Sequence, residues 1–273
     1  MTQQTIMTEF GEIEVPGTLY KYRSLVPEQR SFTSSIILKR ELWWSPASQL
    51  NDEWDCSPLP VLGGSRMAKE LAMRRTLRNS FPHLTKTEVK RLARWRAGRP
   101  NDEFETNMAK MIEQGRSTIG VCSLSSNPAV TKLWTDYADC HRGICLRFDD
   151  IGLDDRYNLS AAPHFGLAMR VSYQDDRPRI QVWGKDYGYE KLIKYLLTKT
   201  RQWEYEEEWR LVESGFTGNR PFPPAALSGI VFGAAISEAD REDVIKWVRT
   251  RNLPVDFLQA RFDGKQIQIE AYA

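Results

Sequence analysis

The sequence predicts an α+β fold with mixed, mainly antiparallel sheets, flanking helices and an inserted basic helical segment. Strand-like and helix-like runs follow one another at irregular spacing, which favours α+β over a doubly wound parallel sheet. The chain closes with two β-prone runs around Asp263-Gly264, as a hairpin does. Its 273 residues are near the upper limit for one hydrophobic core. We therefore expect one domain over residues 1–273, with a helical insertion at 65–115.

The first elements predict a strand–helix–strand unit. Residues 18–23 alternate as a strand does, and Pro27 suits the first turn of a helix at 27–39. Residues 41–45 form the second strand, which Pro46 stops, and 49–56 form a polar loop.

The insertion is predicted to hold three helices, at 67–80, 85–97 and 101–114. Thr85 and Glu88 form a capping box, and Gly115 is expected to end the third helix. Residues 66–99 contain eleven Lys or Arg and two Glu, which indicates either an anionic partner or solvated helix faces. The candidate nucleic-acid contacts are Arg74, Arg75, Arg78, Lys90, Arg91 and Arg94.

The remainder of the chain is rich in predicted strands. These lie at 117–124, 143–148, 168–173, 206–212, 229–234, 255–262 and 266–271, and helices are predicted at 128–139, 189–200 and 237–249.

Several functional classes are not favoured by the sequence. No apolar run approaches the roughly 20 residues that span a bilayer, and the N-terminus does not read as a signal peptide, so we expect a cytoplasmic protein without a membrane contact. Four cysteines lack the spacing of a zinc site, and we expect no metal. No P-loop, dinucleotide-binding glycine motif or nucleophile elbow is present.

Five irregular motifs occur in order: LYKYRS, LWWSPASQLNDEWDC, LWTDYADCHRGICLRFD, LLTKTRQWEYEEEWRLV and IVFGAAISEAD. In residues and order they resemble the bacterial family of unknown function DUF2971, from about Leu19 to the C-terminus. Two positions depart from the family pattern, which has Pro at the position of Glu53 and His at the position of Asp136. A catalytic role of that family His would therefore not carry over.

Three features of the motifs suit a nucleotide site. Arg23 ends a strand and suits bidentate phosphate binding, or a structural ion pair. Trp44 and Ser45 offer a ring and a hydroxyl, or a core side chain and a turn. Glu206 and Glu208, two positions apart on a predicted strand, share a face and raise each other's pKa, which makes them the catalytic candidates. Arg210 on that face is a candidate cofactor contact, or it forms a structural ladder with the two glutamates.

Two further groups are candidates for ligand contacts. At the helical spacing i, i+3 and i+7, Trp134, Tyr137 and His141 share one face on and just after the short helix predicted at 128–139, where they could stack on a base or simply pack on the sheet. Lys199 could neutralise one of the two glutamates or contact a phosphate.

The order Arg on the first strand, aromatic-Ser on the second and Glu-x-Glu on a late strand is similar to the ADP-ribosyltransferase superfamily. The resemblance implies that Arg23 holds NAD, that Trp44 and Ser45 support the nicotinamide side, and that Glu208 acts at the ribose.

Three functions follow as hypotheses. The first is an NAD-consuming, ADP-ribosyltransferase-like enzyme serving as a toxin or defence protein. The second is a non-catalytic module that binds a nucleotide or nucleic acid. The third is a metal-dependent nuclease that uses Asp52, Asp55 and the glutamate pair.

Overall fold

The computed structural model describes residues 4–8, 11–52, 54–61, 63–99, 102–149, 168–181, 195–250 and 254–272. The chain forms two compact units. The first comprises Met1–Ala47, Thr118–Tyr173 and Arg201–Ala273, and the second comprises Ser48–Ser117 and Gln174–Thr200. The helices predicted as an insertion at 65–115 lie in the second unit, which also includes a later stretch of chain.

The helices and strands confirm the α+β class. The helices that lie within the described ranges are α1 (Pro27–Leu38), α2 (Arg66–Ser80), α3 (Lys86–Ala97), α4 (Asp102–Thr118), α5 (Thr131–Tyr137) and α6 (Glu238–Arg249). The strands are β1 (Gln4–Thr8), β2 (Gly11–Val15), β3 (Thr18–Arg23), β4 (Glu41–Pro46), β5 (Leu59–Val61), β6 (Ile119–Ser125), β7 (Ile144–Asp149), β8 (Met169–Arg170), β9 (Ser172–Gln174), β10 (Arg179–Gln181), β11 (Thr198–Thr200), β12 (Glu208–Ser214), β13 (Gly218–Pro221), β14 (Leu227–Phe232), β15 (Asp256–Phe262) and β16 (Ile267–Ala271). Within the ranges given above, no helix is long and apolar enough to cross a bilayer.

A large sheet organises the first unit. Its strands follow the path β13-β4-β6-β3-β7-β14-β15-β16, while β12 pairs with β6 and with β8. The pairs are antiparallel except for β14 with β15, which confirms the predicted mainly antiparallel sheet. The predicted terminal hairpin is present as β15 and β16.

Both faces of this sheet are covered by apolar side chains. One cluster joins Leu19 of β3 to α1 through Ile37 and to α6 through Val244. The other joins Tyr22 of β3 to α5 through Trp134. Leu19 and Tyr22 enter different clusters because successive side chains of a strand point to opposite faces.

The second unit contains a hairpin of α2 and α3. Its small core is formed by Met73, Leu77, Val89 and Ala93. The predicted capping box is present, because Glu88 N donates to the Thr85 hydroxyl (3.2 Å) and Thr85 N donates to the Glu88 carboxylate (2.9 Å).

Several predicted boundaries differ from the structure, and three of the differences are as follows. The helix at 101–114 instead continues through Gly115 to Thr118, because Gly115 does not adopt the left-handed conformation that ends a helix. Residues 198–200 form a strand, in keeping with two β-branched threonines, while the start of the predicted helix at 189–200 lies outside the described residues. The strand predicted at 206–212 begins at Glu208.

Candidate functional site

The large sheet is split along one edge of β6. β12 pairs with β6 along its whole length, from Ser214 opposite Ile119 to Glu208 opposite Ser125. The opposite edge of β6 is shared by two strands, since Ser45 of β4 pairs with Val121 and Tyr20 of β3 pairs with Ser125. Neither β3 nor β4 pairs with residues 122–124, and we call this gap the sheet split.

Two cations on β3 lie beside the sheet split. The Lys21 ammonium donates a hydrogen bond to the carbonyl oxygen of Ser123 (2.8 Å), which lies in the stretch of β6 that pairs with neither β3 nor β4. Arg23 is two residues further along β3, so its side chain leaves the strand on the same face. Both side chains are partly buried.

No carboxylate forms an ion pair with either cation in the part of the chain that the structure describes. Neither Lys21 nor Arg23 makes an ion pair there, and the buried Nε of Arg23 has no hydrogen-bond partner. Burial lowers the pKa of both groups, and repulsion by Arg23 lowers the pKa of Lys21 further, against the opposing effects of Cys122 and Glu208. Burial also raises the pKa of the Cys122 thiol, so this neighbour stays uncharged at neutral pH.

Glu208 is held in a buried ion pair. Its two carboxylate oxygens accept hydrogen bonds from Nε (2.7 Å) and from a terminal nitrogen (2.9 Å) of Arg210. The two side chains are 3% and 0% exposed, which makes this pair the Glu–Arg alternative that the sequence left open. The backbone N–H of Glu208 donates to the Tyr173 hydroxyl (2.8 Å), which fixes the start of β12.

Glu206 and Glu208 do not share a strand face as predicted. Glu206 ends a 3-10 turn over Arg201–Glu206, and Glu207 adopts a left-handed conformation (φ 45°) before β12 begins. This reversal sends Glu206 away from β12, where its buried carboxylate accepts a hydrogen bond from the Tyr137 hydroxyl (2.9 Å).

Arg23 and Glu208 leave the sheet on opposite faces. Tyr20 lies opposite Ser125, which in turn lies opposite Glu208, so these three side chains share a face. The side chains of Lys21 and Arg23 point to the opposite face, because they alternate with Tyr20 along β3. Lys21 nevertheless reaches into the sheet split, where the Glu208 carboxylate raises its pKa. The charge of the Glu208 carboxylate therefore acts on Lys21 at the split.

Trp44 and Ser45 occupy β4 at the other side of the split. The Trp44 ring is fully buried, with the Phe216 ring edge-on at 6.3 Å and the Arg220 guanidinium at 5.5 Å. It therefore acts as a core side chain and presents no open face to a ligand. Ser45 is partly buried and pairs with Val121 of β6. Its side chain points to the sheet face opposite that of Trp44, because successive side chains of a strand alternate.

The predicted aromatic face at 128–139 is divided by the end of α5. The Trp134 ring is buried, with its Nε1 donating to the Pro128 carbonyl (2.8 Å), whereas Tyr137 is partly exposed. His141 lies beyond the helix and stacks between Trp134 (6.2 Å) and Phe262 (5.1 Å). Burial lowers the pKa of His141, which favours the neutral ring in this stack.

A strained turn follows α5 and packs against the end of β3. Asp139, Cys140 and His141 all adopt left-handed conformations, with φ of 49°, 49° and 67°. Such conformations cost about 1–3 kcal/mol each for residues other than glycine and persist where their surroundings enforce them. Backbone hydrogen bonds from His141 N to the Trp134 carbonyl (3.1 Å) and from Gly143 N to the Ala138 carbonyl (2.8 Å) hold this turn. Gly143 lets it lie against β3, because a Cβ atom there would lie 2.2 Å from the Arg23 carbonyl oxygen. The turn therefore fixes the backbone that carries the Arg23 guanidinium.

Lys199 and the predicted nucleic-acid contacts lie in the second unit. The Lys199 ammonium is 4.0 Å from the buried carboxylate of Asp55. Asp52, also named for a metal site, accepts a hydrogen bond from the Thr200 hydroxyl (2.9 Å). In the described ranges, no group of three His, Cys, Asp or Glu side chains could hold a metal ion.

Sequence reasoning missed Lys21, Ser123 and Tyr173. Lys21 had a usable signal, since two cations at alternate positions of a strand must share a face. Ser123 and Tyr173 had none, because their roles depend on which strands pair.

Comparison with known proteins supports the family resemblance over part of the chain. The family model of DUF2971, described as a protein of unknown function, matches residues 133–211. No curated protein and no solved structure matches the chain. The matched segment contains the strained turn, Tyr173, Glu206 and the Glu208–Arg210 pair, and over this segment the chain is similar to DUF2971.

Proposed function

We propose that the first unit binds the phosphate groups of a nucleotide at the sheet split, through Lys21 and Arg23. The observation that carries this proposal is the pair of adjacent, partly buried cations that make no ion pair among the described residues. A charge removed from water is costly unless another charge compensates it. A bound anion would supply that compensation.

Phosphate suits this pair better than a carboxylate does. The planar guanidinium of Arg23 can donate two parallel hydrogen bonds to one phosphate, and the Lys21 ammonium adds a point charge. Alternate residues of a strand lie about 7 Å apart. That spacing favours a ligand with two neighbouring phosphates, and NAD, with its pyrophosphate, is the first ligand to test.

The binding test compares the melting temperature of the wild type with that of Arg23→Gln. We expect NAD, ADP or pyrophosphate, at about 100 times its dissociation constant, to stabilise the wild type by roughly 2.7 kcal/mol. In Arg23→Gln, the same ligands should give little or none of this stabilisation.

The matched control is Arg249→Gln, which removes the same charge from the exposed last turn of α6. It should respond to the ligands as the wild type does. If none of the three anions raises the melting temperature, or if Arg23→Gln responds fully, the binding proposal is wrong.

NAD turnover is a second candidate function. It is favoured by strand register, because Lys21 donates to Ser123, Ser123 lies opposite Arg210, and Arg210 holds the buried Glu208 carboxylate. The ion pair with Arg210 sets a condition on this activity. Because both Glu208 oxygens are engaged, the carboxylate reaches a ribose hydroxyl or an oxocarbenium-like centre only if one hydrogen bond to Arg210 opens.

The turnover test measures release of nicotinamide from NAD by the wild type and by Glu208→Gln. We expect the substitution to lower the rate by about 100-fold or more, as loss of a group that stabilises transition-state charge does. Circular dichroism and NAD binding check that the variant is folded. Equal rates in the two proteins would rule out Glu208 as the catalytic group.

A nucleic-acid partner is proposed for the second unit. Most cations of segment 66–99 are exposed on α2, α3 and the residues that flank them. Phosphate neutralisation by such a surface gives binding that weakens steeply with salt.

A further inference from the structure

The outer surface of the α2–α3 hairpin carries many more cations than acids. The Glu70 carboxylate is engaged by Arg74 and by Arg94, the latter at 3.3 Å. The Glu88 carboxylate is engaged in the capping box with Thr85. Other cations of the hairpin remain exposed: Arg66, Arg75, Arg78, Lys86, Lys90, Arg91, Arg96 and Arg99.

An aromatic ring stands among these cations without a role in the hairpin core. That core is complete with Met73, Leu77, Val89 and Ala93, whereas Trp95 of α3 is 54% exposed. The guanidinium of Arg99 lies 4.1 Å from the centre of the Trp95 ring. Arg91, four residues before Trp95, lies on the same side of the helix.

The start of α2 lies beside the end of α3 and adds an exposed apolar side chain. The Arg66 guanidinium lies against Gly98, which brings the start of α2 beside the end of α3. Met67, next to Arg66, is 80% exposed. The end of the hairpin therefore combines an open indole ring, a thioether and several guanidinium groups, and we call it the basic aromatic patch (Arg66, Met67, Arg91, Trp95, Arg99).

We propose that the basic aromatic patch binds single-stranded nucleic acid, with Trp95 stacking on an unpaired base and the arginines contacting phosphates. This inference rests on the proposed nucleic-acid contact and specifies the form of nucleic acid. Proteins that hold single strands combine cations along the backbone with exposed aromatic rings on which bases stack. A duplex keeps its bases stacked on one another, so its phosphates would contact the arginines but no base would stack on the indole ring. An anionic membrane is the competing partner for a surface of this composition.

The test measures fluorescence anisotropy of labelled oligothymidylate of about 15 nucleotides, the upper range of known single-strand sites. We expect Trp95→Ala to weaken binding about tenfold at every salt concentration, because stacking does not depend on counterion release. Trp95→Phe should recover much of the loss. Arg91→Gln should instead reduce the slope of log affinity against log salt by about 0.7.

Two controls separate the outcomes. Arg249→Gln and Lys246→Gln, both on the exposed side of α6 in the first unit, should bind the oligonucleotide as the wild type does. Equal binding of a duplex and no effect of Trp95→Ala would overturn the single-strand inference and keep the nucleic-acid partner. Absence of salt-dependent binding to either form would overturn both, as would binding to anionic vesicles alone.

Discussion

Arg210→Met should lower the free energy of unfolding by about 3–5 kcal/mol, the largest loss that we expect from a single polar substitution in this chain. Arg210 is fully buried, and its removal leaves the Glu208 carboxylate, 3% exposed, without its bidentate partner. A buried charge stripped of its partner bears the full cost of its desolvation. Urea unfolding at neutral pH measures the loss.

The control for this prediction replaces both partners. Glu208→Leu combined with Arg210→Met removes the charges together, and it should recover most of the stability lost by the single variant. An exposed pair provides the comparison. Arg142→Met, which breaks the pair with Asp139 on the surface, should cost no more than about 1 kcal/mol. If Arg210→Met lost no more stability than Arg142→Met does, Glu208 and Arg210 would not behave as a buried ion pair.

The order of elements around the site could be predicted from the sequence, because it depends on local patterns. Alternation in 18–23 placed Arg23 at the end of a strand, and the proline at position 27 marked the start of α1. The Thr85 capping box and the Ser237 cap of α6 were likewise readable from short spacings.

What could not be predicted depends on non-local pairing and on backbone conformations that the residue types disfavour. Glu206 and Glu208 are separated because Glu207, which has no glycine-like freedom, adopts a positive φ. His141 leaves the helix face for the same reason. The sheet split arises because β3 and β4 share one edge of β6, and no pattern within either strand encodes that sharing.

The pairing of the strands also decides which cations matter. Arg23 stood out in the sequence as a strand-ending arginine, whereas Lys21 gained its importance from the unpaired carbonyl of Ser123. A lysine that replaces a missing strand partner contributes a hydrogen bond and introduces a charge at the same time. These two contributions act in opposite directions on stability, which makes them separable by experiment.

Lys21→Met should make the unliganded protein at least as stable as the wild type at neutral pH, while it removes most of the stabilisation by pyrophosphate. Burial lowers the folded-state pKa of Lys21, which means that the folded protein binds this proton less well than the unfolded chain does. The resulting destabilisation is fully present below the folded pKa and disappears as the pH rises past the unfolded value near 10.5. Methionine keeps the length of the side chain without the charge, and gives up one hydrogen bond worth about 1 kcal/mol.

The measurement is urea unfolding of both proteins in a zwitterionic buffer between neutral pH and about pH 10.5, with and without pyrophosphate. Without the ligand, the difference in stability between variant and wild type should shrink as the pH rises, because only the wild type loses an unfavourable charge. Saturating pyrophosphate should reverse the order at neutral pH, since an anion offsets the charge that Lys21 contributes. Lys246→Met, on the exposed side of α6, should show neither effect. The contrary result would be that Lys21→Met is less stable than the wild type at every pH, with no anion changing the difference. In that case Lys21 would serve only to hydrogen-bond the Ser123 carbonyl, and the proposal of a ligand in the sheet split would be wrong.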